Sequence, residues 1–161
     1  MAAMRKANIA NPEFRHSGAD PEGFDSGMYR MGPMVGASLL GATVYELAPG
    51  NSICPYHYEY GEEEWLIVLR GTPLIRHPEG EERLETWDVV CFPSGPDGAH
   101  AVRNDTGETV RVLMFSNVEH PAATVYPDSD KVAIWTGNDA DNVMVRKSSH
   151  VDYWDGEMAG S

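Results

Sequence analysis

Apolar and polar residues alternate in short runs along most of this chain, and helical periodicity is scarce. The runs are rich in Val, Ile, Leu, Tyr and Thr, and glycine and proline separate them at short intervals. Because side chains in a strand point alternately to opposite faces, this pattern is typical of a β-sandwich or barrel. The pattern predicts strands at Ser38–Leu47, Cys54–Tyr60, Trp65–Leu69, Pro73–Arg76, Arg83–Thr86, Val89–Phe92, Ala99–Asn104, Thr109–Ser116, Ala123–Tyr126 and Val132–Trp135.

Turns and changes of texture divide the chain into three parts. Glycine at the tight position predicts hairpin turns at His77–Glu82 and Asn104–Glu108. Residues 1–35 are polar and punctuated by glycine and proline, so we expect an extended N-terminal arm with little regular structure. Residues 36–120 are expected to form the barrel core, and residues 121–161 a short C-terminal extension that packs on the barrel.

The charge balance restricts the partners that this chain can bind. Its 161 residues fit one domain of ordinary size. Twelve basic residues against twenty-five acidic ones give a formal net charge of −13. Such a chain repels phosphate backbones and anionic lipids, which argues against nucleic acid and membranes as partners. We interpret most of the charge as a solubility surface, so a neutral or weakly acidic small molecule is the easier substrate.

The two cysteines and the N-terminus point to a cytoplasmic protein. Cys54 and Cys91 are too few for a disulfide framework in a chain of this length, so we expect reduced thiols. Cys91 lies between two apolar residues and is predicted to fill the core. The first residues contain no apolar stretch that resembles a signal peptide, and no run approaches the ~18 apolar residues of a membrane helix.

Chemistry-bearing side chains concentrate in the segment PYHYEYGEEEWLIVLRG, which begins at Pro55. In a strand, His57 and Glu59 share a face, so both can reach a single ion. Cys54 falls on the opposite face and is therefore not expected to be a ligand. Glu64 begins an otherwise apolar strand and needs a partner, because a buried unpaired carboxylate is costly. The face opposite His57 carries an aromatic stripe of Tyr56, Tyr58 and Tyr60.

A second informative segment, WDVVCFPSGPDGAHAVRN, runs from Trp87 to Asn104. The same alternation places His100, Val102 and Asn104 on one face. Between the predicted strands lies Pro93–Gly98, a proline- and glycine-rich loop of the kind that reverses a strand.

Together the two segments resemble the two sequence motifs of the cupin superfamily. The residues that occupy first-motif positions are Gly50, His57, Glu59, Glu64 and Gly71. Those that occupy second-motif positions are Asp88, Pro93, Gly95, His100 and Asn104. The resemblance covers residues 41–116. It implies an all-β fold, a small antiparallel β-barrel of jelly-roll type, also called a double-stranded β-helix.

Cupins that resemble this pattern hold a metal ion with three histidines and a glutamate. The resemblance assigns His57, Glu64 and His100 to three ligand positions, and Glu59 stands where the family has its other histidine. With Glu59 as fourth ligand, the site suits a divalent transition metal ion, Zn, Mn, Fe or Ni. Glu59 is alternatively a hydrogen-bond partner of a ligand, or a catalytic acid or base that faces the substrate. The neighbouring Glu62 and Glu63 are interpreted as solvated.

Several functions are compatible with this resemblance, because one fold hosts many activities. Small cupins look similar to sugar and sugar-phosphate isomerases, and also to dioxygenases and decarboxylases. We expect a metal-binding enzyme that moves a proton on a small, sugar-like metabolite, with Glu59 as base. The alternatives are a non-catalytic cupin that binds or senses a small molecule, and a non-haem iron dioxygenase. A strongly anionic substrate would need the metal and arginines such as Arg70 and Arg76, and a homodimer is the expected assembly.

Overall fold

The computed structural model describes residues 3–158, and their regular structure consists almost entirely of antiparallel strands. One short α-helix, α1, spans Gly32–Val35, and four single-turn 3-10 helices span Pro96–Gly98, Pro127–Ser129, Asp139–Asp141 and Lys147–Ser149. The strands are β1 Ser26–Arg30, β2 Leu40–Leu47, β3 Tyr58–Tyr60, β4 Glu64–Arg70, β5 Leu74–His77, β6 Gly80–Arg83, β7 Val89–Phe92, β8 Ala101–Arg103, β9 Val110–Asn117, β10 Ala122–Tyr126, β11 Lys131–Trp135 and β12 Val143–Arg146.

The strands form three sheets that enclose one core. The first sheet has the order β1-β2-β9-β4-β7, the second β12-β11-β10-β3 and the third β6-β5-β8. A backbone bridge between His57 and His100 joins the segments that lead into β3 and β8. The core cluster draws its residues from both the first and the third sheet, including Leu66 of β4 and Val102 of β8. This arrangement confirms the predicted all-β jelly roll.

Strand register determines which side chains face the core. Leu47 of β2 pairs with Val110 of β9, and both are fully buried. Glu64, the first residue of β4, pairs with Phe92 of β7, which is also buried. Since Glu64 and Leu66 are two positions apart in β4, they share the inner face of the sheet. Glu64 therefore lies at the end of an apolar inner face, as the sequence predicts.

The N-terminal arm, residues 1–35, contains more regular structure than the sequence suggests. Its strand β1 pairs with β2, with Met28 opposite Tyr45 and Arg30 opposite Thr43. Arg15 adds a further bridge to Met28. The five residues of β1 carry little apolar alternation, so only pairing with β2 distinguishes them from an irregular arm.

Two predicted strands differ from the observed ones. The segment predicted at Arg83–Thr86 forms its strand earlier, at Gly80–Arg83, so part of the predicted turn His77–Glu82 is strand. All four residues of β6 are exposed, and alternation therefore gives no signal there. Within the predicted strand Cys54–Tyr60, only β3 is continuous strand, because the chain before His57 turns.

Two further predictions about local structure fail or are incomplete. The strand β12 has no counterpart in the sequence prediction, and all four of its residues are exposed. Cys91 is exposed rather than buried, because it pairs with the partly exposed Trp65 on the outer face of the sheet.

Among residues 3–158, no helix has the length and apolar character needed to cross a membrane.

Asn104 joins two loops at the end of β8 through a buried hydrogen-bond network. Its Nδ2 donates to the carbonyl oxygens of Leu47 at 2.9 Å and Glu108 at 2.7 Å. Its Oδ1 accepts from the backbone N–H of Thr106 at 3.0 Å and from the Thr106 hydroxyl at 2.7 Å. The side chain is only 1% exposed, so water does not replace these partners easily.

Asn104→Ala is expected to lower the free energy of unfolding by about 2–4 kcal/mol, because it removes the four hydrogen bonds of a buried side chain. Urea unfolding followed by circular dichroism measures the change. Asn8→Ala is the matched control, since Asn8 is exposed and its side chain accepts only from Ala10 N–H. Equal stability of the two variants would contradict the structural role of Asn104.

Candidate functional site

Two histidines from distant parts of the chain lie side by side inside the barrel. His57 N–H donates to the carbonyl of His100 at 3.1 Å, and His100 N–H donates to that of His57 at 2.8 Å. This reciprocal pair places the imidazole centroids 4.7 Å apart. Both residues are buried, with 7% and 2% exposure. The predicted proximity of His57 and His100 is therefore present in the structure.

Backbone carbonyls orient both imidazoles in the same way. His57 Nδ1 lies 3.0 Å from the carbonyl oxygen of Pro55, and His100 Nδ1 lies 2.9 Å from that of Gly98. A carbonyl only accepts, so each Nδ1 carries the proton and each Nε2 presents a lone pair. Phe92 stacks on the His100 ring at 3.8 Å and restricts its rotation.

Glu64 completes a group of three ligand atoms. Its Oε2 lies 3.2 Å from His100 Nε2, and the ligand atoms of His57, Glu64 and His100 all lie within 4.8 Å of one another. His100 Nε2 is buried and makes no hydrogen bond with any residue that the structure describes. A buried lone pair without a donor beside a carboxylate fits a cation better than it fits an apolar core. Two imidazoles and a carboxylate suit a divalent transition metal ion.

The electrostatic environment keeps His57 available as a ligand. Burial, and next the proximity of His100, lower the pKa of His57 to about 4. The imidazole is therefore neutral at neutral pH, as metal coordination requires.

Glu59 lies outside this group of three and is held by its own hydrogen bonds. Trp135 Nε1–H donates to the Thr124 hydroxyl oxygen at 2.8 Å. That oxygen in turn lies 3.3 Å from Glu59 Oε1, so the hydroxyl donates its proton to the carboxylate. The other oxygen, Glu59 Oε2, is buried and has no hydrogen-bond partner among residues 3–158.

Burial is the main cause that raises the pKa of Glu59, to about 8, and the charges of Glu64 and Glu62 add to it. Glu63 is exposed as predicted, whereas Glu62 is half-buried. Thr124 and Trp135 were not predicted from the sequence as partners of Glu59. The only signal for Thr124 was a polar residue in an apolar strand, and nothing in the sequence pairs that strand with β3.

A cavity of about 580 Å³ opens beside this group. His57, Glu59 and Glu64 line it. Residues of the N-terminal arm line the same cavity, so this segment lies beside the candidate site. They are Ser17, Asp20, Pro21, Phe24, Ser26, Met28 and Arg30.

The surroundings of the site correct two sequence predictions. Cys54 does not face away from His57, because its Sγ lies 3.5 Å from His57 Nδ1 where the chain turns. Burial, and then the charges of Glu64 and Glu59, raise the pKa of Cys54 to about 12, so its thiol is protonated. Arg70 and Arg76 do not line the cavity, and Arg76 is instead paired with Asp128.

The predicted aromatic stripe is divided. Tyr58 and Tyr60 make an edge-to-face contact with centroids 5.5 Å apart. Tyr56 stands apart from them, beneath the guanidinium of Arg76 at 3.8 Å from the ring centroid. The stripe is therefore not a single packed surface.

A family model described as a cupin domain matches residues 43–116. No protein of curated function matches the sequence. Among solved structures, a sugar phosphate isomerase of a cupin superfamily from Silicibacter pomeroyi superimposes with a TM-score of 0.78, at 22% identity over 93% of this chain and 98% of that one. A protein proposed to be a sugar phosphate isomerase from Acidithiobacillus ferrooxidans gives 0.74, at 22% identity over 94% and 89%. A polyketide cyclase from Streptomyces resistomycificus gives 0.57, at 20% identity over 73% and 81%.

Proposed function

We propose that this chain, whose residues 43–116 match a cupin-domain family model, is a metal-dependent isomerase of a small, sugar-like metabolite. One observation carries the proposal. His57, Glu64 and His100 converge within 4.8 Å, and Glu59, which has one buried carboxylate oxygen without a partner among the described residues, lines the same cavity as His57 and Glu64. Ion binding and proton transfer can therefore occur on one substrate.

His57, Glu64 and His100 are the residues that would hold the ion, Zn, Mn, Fe or Ni. When bound, such an ion polarises a carbonyl or hydroxyl oxygen of a chelating substrate. Glu59 is assigned the role of general base. Thr124 donates to its Oε1, and the pKa of about 8 makes its ionised form a stronger base than an ordinary carboxylate, one that can take a proton from a substrate carbon and return it to the neighbouring carbon.

The names of the structural neighbours support the choice of substrate class. Two structures that superimpose along almost the whole chain are described as sugar phosphate isomerases, one of them as a proposed one. At 22% identity these superpositions establish a shared fold and no more, so the sugar-like substrate is our proposal for this chain.

A second candidate is a non-haem iron dioxygenase, and the ligand set favours it. Two histidines and one carboxylate, with Glu59 outside the group, match the arrangement that binds Fe(II) in many oxygenases. Elemental analysis combined with oxygen consumption distinguishes the candidates. Iron together with oxygen uptake favours the dioxygenase, whereas neither is needed for isomerisation.

Glu59→Gln is expected to retain the metal and to lower turnover by about 10²–10⁴-fold, because the amide cannot accept the proton. The assay incubates a panel of aldoses, ketoses and their phosphates in D₂O and follows deuterium at the carbon next to the carbonyl by NMR.

Glu63→Gln serves as the control, since Glu63 is an exposed neighbour in the same sequence run. Unchanged exchange in Glu59→Gln would remove Glu59 as the base. Loss of metal in this variant would instead make Glu59 a ligand.

A further inference from the structure

Arg30 is the one cationic side chain, among the described residues, that lines the cavity. It ends β1, and alternation along that strand places it on the same face as Met28 and Ser26, which also line the cavity. Its Nη2 lies 3.9 Å from the Met28 sulfur. On β2, Thr43 lies opposite Arg30 and Tyr45 lies opposite Met28. Tyr45 is therefore the diagonal neighbour of Arg30, and it also lines the cavity.

Arg30 has no carboxylate within ion-pair distance in residues 3–158, although the chain contains twenty-five acidic residues. Four other arginines do have such partners. The ion pairs of arginine are Arg76–Asp128, Arg83–Asp105, Arg103–Glu81 and Arg111–Glu46. A guanidinium that stays free in an acidic protein is available to a ligand.

The charges inside the cavity allow an anion to enter. The acidic lining residues are Asp20, Glu59 and Glu64. A divalent ion at the three-ligand group and the guanidinium of Arg30 would together carry three positive charges, which is at least the negative charge that these three side chains can carry. The negative field of the whole protein therefore does not extend unopposed into the cavity.

We propose that Arg30, together with the hydroxyl of Tyr45, binds an oxyanion of the substrate in this cavity. The substrate then has a metal-chelating end near His57 and an anionic end, phosphate or carboxylate, near Arg30. Arginine suits this role because its planar fork of N–H donors binds both groups in a bidentate manner. This inference rests on the proposed function in one respect only, which is that the bound oxyanion is taken to be part of the isomerase substrate.

The test measures binding rather than turnover. Inorganic phosphate and acetate are titrated separately into the purified, metal-containing protein by isothermal titration calorimetry. Arg30→Ala is expected to weaken binding of the preferred anion by about tenfold to a hundredfold, the range for loss of a charge-assisted hydrogen bond. Arg30→Lys is expected to lose less, because it keeps the charge. The anion that binds more tightly identifies the source as a phosphate or a carboxylate.

Arg15→Ala is the matched control, since Arg15 is an exposed arginine of the same arm, has no ion pair in the described residues and does not line the cavity. It is expected to bind the anion within about twofold of the unmodified protein. An equal loss in both variants would mean general charge screening and would overturn the proposal. Absence of binding to the unmodified protein would overturn it as well.

His57→Ala separates this inference from the proposed function. Anion binding that survives in His57→Ala and still depends on Arg30 supports the oxyanion site, even if no isomerase activity is found. Anion binding that depends on His57 and is unaffected by Arg30→Ala assigns the anion to the metal alone, and the inference is then wrong.

Discussion

His57→Ala and Glu64→Gln are each expected to purify with almost no bound metal, whereas the unmodified protein carries close to one ion per chain. Each change removes one of three ligands that the barrel places within 4.8 Å. Loss of a residue that only orients a ligand costs about 10–100-fold in metal affinity, so loss of a ligand itself is expected to cost at least about 100-fold. Mass spectrometry of the metal content after gel filtration gives the stoichiometry.

A second measurement checks that the loss is local. A bound ion stabilises only the folded state, by about 4 kcal/mol at a thousandfold excess over its Kd. A chelator should therefore lower the melting temperature of the unmodified protein and leave that of Glu64→Gln unchanged. His150→Ala is the control, because His150 is exposed and far along the chain in the C-terminal segment. Stoichiometric metal in His57→Ala would refute the assignment of this group.

The central site was predictable because its residues occupy positions in two motifs that resemble those of the cupin superfamily. That resemblance assigned His57, Glu64 and His100 to ligand positions, whereas alternation alone placed only Glu59 on the face of His57. The sequence also identified Glu59, but it left three roles open for this residue. The structure adds a hydrogen bond from Thr124, a partner 65 positions away. No pattern within either motif contains that pairing.

The position of the N-terminal arm beside the cavity was not predictable from the sequence, for a related reason. β1 has few apolar residues, and its position follows from eight-residue β2, with which it pairs. Arg30 therefore looked like one polar residue in an irregular arm, while Arg76 looked closer to the motifs. In the structure, Arg76 is bound by Asp128, a residue of the C-terminal segment. Partners that are distant in sequence decided both outcomes.

Two errors remain, and a local turn explains the first of them. Alternation assumes an extended chain, and the chain before β3 turns at Pro55, which brings Cys54 to the same side as His57. In the second, an apolar-looking run placed Cys91 in the core, although odd and even positions of β7 face opposite sides. Periodicity thus predicts which residues share a face but not which of the two faces is buried.

Gly98→Ala is expected to destabilise the fold by about 3 kcal/mol or more and to weaken metal binding. A Cβ at this position would lie 1.8 Å from the carbonyl oxygen of Pro93 and 2.8 Å from its carbonyl carbon. Both atoms belong to the backbone, so no side-chain rotation relieves the overlap and the loop must move. The Gly98 carbonyl accepts from His100 Nδ1, which means that the movement also disturbs the orientation of a ligand.

Gly107→Ala tests whether this effect comes from close approach rather than from any glycine replacement. Gly107 has no heavy atom within 4 Å of the added Cβ and does not have a positive φ, so its replacement should change stability by no more than about 0.5 kcal/mol. Urea unfolding and metal content are measured on both variants. If Gly98→Ala is as stable as Gly107→Ala and binds metal equally well, the loop Pro93–Gly98 does not position His100. If Gly98→Ala folds but loses metal affinity, the carbonyl of Gly98 is the link between the tight packing of this loop and the chemistry of the site.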